Sequence, residues 1–162
     1  MDECESCLEK VKKDYEQYRM KYNLPEFDKL NQDFAIEKIS EIETDLLLRE
    51  VRKFIADRLS NYMRFIEGLL NPANASIFTF SICKTFNLED KKEIEDMFKE
   101  LMRLEIELME IDIQYSEEKE ANFIKNSFEK WSSFKTRWKK IVDVVKKNWD
   151  NRLESGNKGY FG

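Results

Sequence analysis

EEKEANFIKNSFEKWSSFKTRWKKIVDVVKKNWDNR, residues 117–152, is the stretch that decides the fold. No glycine or proline interrupts it. Ile124, Phe128, Trp131, Trp138, Val142, Val145 and Trp149 recur in steps built from threes and fours, the spacing that stacks side chains on one face of an α-helix. Only Lys135 breaks the register, with Phe134 beside it. The pattern predicts a long last helix from about Glu117 to Arg152, with a coiled-coil-like aromatic seam of about four heptads.

Reading upstream from that helix, Ser116-Glu117-Glu118 is read as a break with a fresh cap in preference to a polar patch within one helix. The helix before it is expected to start after Asn87, an N-cap residue followed by Glu89 and Asp90. It runs to about Tyr115 on a core stripe of Ile94, Phe98, Leu101, Leu104, Leu108, Ile111 and Tyr115. Ser76 to Phe86 is the least polar stretch, and its length suits strand or helix. A short buried helix is the reading, because the chain offers no second strand for pairing.

Asn71-Pro72 stops a long second helix, expected from about Ala35 to Leu70, whose apolar residues occupy more than one face. A first helix from about Glu3 to Tyr22 carries Leu8, Val11, Tyr15, Tyr18 and Tyr22 on one stripe. It ends before Pro25, which biases Leu24 away from helix. Between the two, Glu26–Phe34 reads as a connector with a helical turn, pinned to the core by Phe27, Leu30 and Phe34.

The fold class is therefore all-α: an elongated antiparallel bundle of four to five helices, with two long helices and one short buried helix. Residues 1–153 form a single helical-bundle domain. Residues 154–162 form a flexible C-terminal tail, where Gly156, Gly159 and Gly162 cluster. Bulk composition agrees. Charged residues make up 38% of the 162, while there are 4 Gly and 2 Pro, too few turn residues for a β-sandwich. Twelve Phe, six Tyr and three Trp argue against disorder.

The net charge of −5 is unevenly spread. Residues 125–162 hold ten Lys/Arg against four Asp/Glu, leaving the rest of the chain at −11. The halves are electrostatically complementary, so the basic helix is expected to pack among acidic ones. No apolar run reaches the ~18 residues of a membrane span. The acidic start Met1-Asp2-Glu3-Cys4-Glu5 is not a secretory signal, and the expected location is cytoplasmic.

Much chemistry is excluded. The chain has no histidine, which removes Ser-His-Asp and Cys-His catalysis, the commonest general base and most transition-metal sites. Neither glycine-rich phosphate loop pattern occurs. No cofactor is expected, and the chain does not read as an enzyme.

Three features are candidates for function. Cys4-x-x-Cys7 is half of a zinc knuckle pair. It reads either as two ordinary thiols or as a metal site or disulfide that two chains would have to share. Lys135, Arg137, Lys139, Lys140, Lys146 and Lys147 make the last helix basic. They form either a solvated or internally paired face, or a patch for an acidic partner or nucleic acid. Tyr160, Phe161 and Gly162 end a glycine-rich tether, and either fold back or plug into a partner as a short linear motif.

Glu43-Thr44-Asp45-Leu46-Leu47-Leu48-Arg49-Glu50-Val51-Arg52-Lys53, Asn61–Glu67, Leu70-Asn71-Pro72, Glu118-Lys119-Glu120-Ala121 and the Tyr160-Phe161-Gly162 ending resemble small all-helical archaeal proteins of unknown function. That likeness would cover most of the chain and implies no activity. Arg58 to Glu67 is also similar to the helical domain of GINS replication subunits, although no small β-domain is visible. The leading expectation is a non-enzymatic helical interaction or scaffold protein that binds a protein partner or itself. The alternative is a nucleic-acid-associated factor using the basic helix. Neither involves a membrane.

Overall fold

A computed structural model describes the backbone of residues 2–74 and 76–156, and the side chains of residues 7–73, 76–77 and 79–150. The fold is all-α, with no strand among the described residues. Its helices are α1 (Asp2–Tyr22), α2 (Phe27–Phe34), α3 (Leu47–Leu70), α4 (Ile77–Cys83), α5 (Leu88–Ile113) and α6 (Glu117–Gly156). Two 3₁₀ segments, Ile36–Glu41 and Pro72–Asn74, lie between them.

The helix ends follow from local chemistry. Asn23, at φ 54°, takes the left-handed conformation after α1, and the Leu24 N–H donates to the Arg19 carbonyl at 3.2 Å, a Schellman closure. Ala35, at φ 53°, ends α2 with its N–H on the Asn31 carbonyl at 2.8 Å. At the start of α5, Asn87 Oδ1 accepts from the Asp90 N–H at 2.8 Å while Asp90 Oδ2 accepts from the Asn87 N–H at 3.1 Å. This reciprocal capping box bears out the expected start. Ser116 likewise accepts from the Lys119 N–H at the start of α6, at the expected break.

The expected second helix from Ala35 is corrected: α3 begins only at Leu47. Ala35 is spent closing α2, Ile42 is extended at φ −114°, and Thr44 Oγ accepts from the Leu46 N–H at 3.0 Å. Ile36 and Ile39 are both fully buried, and their spacing of three serves a 3₁₀ turn as well as an α-helix. The last helix also runs further than expected, to Gly156, so residues 154–156 are helical rather than tail.

The described chain divides into two compact units: residues up to Asn61 with Met102–Trp131, and Tyr62–Leu101 with Ser132 onward. In the first, Tyr15, Leu30, Ile36, Val51, Ile55 and Phe123 have no exposed surface. Tyr15 donates to the Pro25 carbonyl at 2.8 Å and meets the Phe27 ring edge-on. Arg52 pairs with Asp112 and Ser60 with Glu105, so α3 and α5 run antiparallel there. In the second unit, Ile66, Ile94 and Met97 are buried, and Tyr62, Phe65 and Phe134 gather around Trp138 with ring centroids 5.4–6.1 Å apart.

The buried seam of α6 differs from the one its apolar residues suggest. Glu120, Ile124, Ser127, Trp131, Phe134 and Ile141 are buried, a spacing of four and three that passes through Phe134. Phe128 and Val142 are only half-buried, and Lys135 is exposed. An apolar-only reading shares Ile124 and Trp131 with this seam, but steps over Glu120 and Ser127 and takes Phe128 and Val142 where Ser127 and Ile141 are buried.

Candidate functional site

α4 has the helical state expected of it, but it is not a buried helix. Ser76 Oγ caps it by accepting from the Thr79 N–H at 3.2 Å. Its seven residues make two turns, enough to bury one stripe only. Ile82 and, just beyond the helix, Phe86 face the core at 4% and 6% exposure, while Ile77 is 88% exposed and Phe80 45%. Leu88, the first residue of α5, is 86% exposed.

Phe80 and Phe86 border a groove of about 380 Å³ in the second unit. Its walls are Leu69, Leu70 and Pro72 from the end of α3, Phe80 and Cys83 from α4, and Phe86 and Ile94 at the start of α5. Lys84, Lys91 and Glu95 rim it. The Lys84 ammonium sits 4.4 Å above the Phe80 ring, a cation–π contact that holds the ring edge in place. The Cys83 thiol donates to the Leu69 carbonyl at 3.2 Å, and burial raises its pKa, so it is a packing thiol rather than a thiolate nucleophile.

The first unit concentrates its charge at the junction of α5 and α6. Glu120 has no exposed surface. Arg52 Nε approaches its Oε2 to 2.6 Å, Arg49 Nε lies 3.7 Å from Oε1, and Arg52 also holds Asp112 at 2.9 Å. The Arg49 guanidinium covers the Tyr115 ring at 4.8 Å. Burial raises the Glu120 pKa against the opposing pull of Arg52 and Arg49. One turn earlier, Glu117 accepts from both Lys21 Nζ and Tyr22 OH, and these two bonds lower its pKa.

Glu117 also lines a polar cleft of about 520 Å³, together with Lys10, Asp14, Tyr18, Lys21 and Asp45. Sequence reasoning missed Glu120. Its legible signal is the position itself: it falls on the four-three spacing that continues back from Ile124, where a charge is out of place.

The sequence candidates are scattered. Arg137 turns inward and pairs with Glu93 and with both oxygens of Glu100 at 2.8 Å. Lys139, Lys140, Lys146 and Lys147 are exposed, as is Lys135. Trp149, 44% exposed, shares a small hollow with Ile82 and Thr85. Cys7 is exposed and free, while the side chain of Cys4 lies outside the described residues. Tyr160, Phe161 and Gly162 lie outside them as well. No group of three or more metal-ligating side chains occurs among the described residues, and none of their helices is long and apolar enough to cross a membrane. No family model, curated protein or solved structure matches the chain.

Proposed function

We propose that this protein is a non-enzymatic interaction module, and that the groove beside α4 receives an amphipathic element of a protein partner. The observation that carries this reading is the nearly full exposure of Ile77 and Leu88, each one helical turn before a residue that lines an apolar groove, Phe80 on α4 and Lys91 on α5. Soluble surfaces carry single exposed apolar residues without consequence, but several around one concavity mark a docking site. Covering Ile77 and Leu88 would gain about 1.5–3 kcal/mol each, and Phe80, already more than half covered, would gain less. That suffices for recognition only if the partner also meets the charged rim, because association itself costs several kcal/mol. The polar cleft of the first unit offers converging charges, but its Lys21 and Glu117 are bonded to each other, which favours a structural role for them.

The test is capture by immobilised full-length chain, with mass spectrometry of the retained proteins. The double variant Ile77→Glu/Leu88→Glu changes exposed positions, so its melting temperature is expected to match the wild type. It is expected to lose a partner that the wild type retains. Equal recovery of every protein by both forms overturns the proposal.

A further inference from the structure

The first unit carries an apolar surface of its own. On α5, Ile106, Met109 and Ile113 are 53%, 59% and 86% exposed. Their spacing of i, i+3 and i+7 lines them up on one face, the anchor pattern of a helix that lies in a groove. Charge of one sign flanks them. Glu105, Glu107, Glu110 and Asp112 stand within the same two turns, against a single Arg103. Asp112 keeps 64% of its side chain exposed even while paired with Arg52. The α5 face is therefore an acidic amphipathic helix side with three large anchors. The α4 groove asks for the converse: apolar walls that admit large anchors, and a rim on which Lys84 and Lys91 outnumber Glu95.

We infer that the partner of the α4 groove is a second copy of this chain, which inserts its Ile106-Met109-Ile113 face. This rests on the reading of the groove as a docking site. The two surfaces match in apolarity and oppose in charge, and the anchors span about 10 Å along their helix. Groove and face are different patches, so the contact is heterologous. Each added copy leaves one groove and one face open, and assembly continues beyond a dimer unless it closes into a ring.

Sedimentation of the full chain tests this. The wild type is expected to associate with rising concentration, and less so at high salt, because the rim charges are screened. Ile77→Glu/Leu88→Glu replaces the exposed apolar residues one turn from the groove lining with acids that repel an acidic partner, and leaves the Ile106-Met109-Ile113 face intact; Met109→Glu/Ile113→Glu spoils that face and leaves the groove side intact. All four positions are well exposed, and circular dichroism confirms that each variant is folded. Each alone is expected to be monomeric. Mixed in equal amounts they are expected to form a 1:1 dimer and nothing larger, since the mixture holds one intact pair of surfaces.

A mixture that stays monomeric overturns the inference, as does a wild type that remains monomeric at millimolar concentration. If the wild type is monomeric yet still captures another protein through the groove, the second-copy inference falls and the docking function stands. If the groove variant also captures as well as the wild type, both fall.

Discussion

Glu120 and Arg52 form the least solvated charge pair among the described residues, at 0% and 6% side-chain exposure. Burying such a pair costs desolvation on both sides, and its benefit depends on neither partner being left alone. Arg52→Met would leave the Glu120 carboxylate in the core with only the more distant Arg49. We expect a loss of about 3 kcal/mol at pH 8 in urea unfolding, most of it recovered in Arg52→Met/Glu120→Leu. The loss should shrink as pH falls, because protonation removes the charge that is left buried without Arg52.

Two glutamates on α6 should act on stability with opposite sign. The folded pKa of Glu120 is raised above 4.5, so its contribution is present below that value and is lost as pH rises through the folded pKa. The folded pKa of Glu117 is lowered, so its contribution is present above 4.5 and is lost as pH falls through the folded pKa. The sequence placed both residues at the start of a helix, where acids are favoured. It offered no means of telling the core one from the cleft one.

At the level of elements, the ends written in strong local chemistry were legible: Asn71-Pro72 after α3, Asn87 with Asp90 before α5, and Ser116 before α6. The stretch between α2 and α3, expected to be helix from Ala35, was not. Ala35 is an excellent helix former, yet it sits at φ 53°, a conformation that costs a residue with a Cβ about 1 kcal/mol. It does so because Ile36 and Ile39 must turn back into the core, where both are fully buried. Ala35 is thus a position where glycine should do better, and Ala35→Gly should stabilise the protein by about 0.5–1 kcal/mol in thermal melting. A loss of stability would show that the turn is not a source of strain. The α6 seam has the same origin: packing chose the line through Ser127, Phe134 and Ile141, which tolerates polar residues, over the purely apolar one through Phe128 and Val142.

For the whole molecule, charge is the property that sequence reports most directly, because it needs no geometry. With 33 acidic and 28 basic residues, the chain approaches neutrality near pH 5.1. Repulsion between copies then vanishes while exposed Ile77, Leu88 and Ile113 remain. Solubility should therefore pass through a minimum near that pH, read as turbidity, and recover at pH 8. The all-α class, the boundaries of α1 and α5, the start of α6, and the lack of histidine followed from the sequence alone, since periodicity, caps and residue types are local. Which apolar residues stay outside, where a charge is buried and how Arg137 is spent were decided by tertiary structure. Each depends on which neighbours fill the space around a side chain, and those neighbours lie far away along the chain.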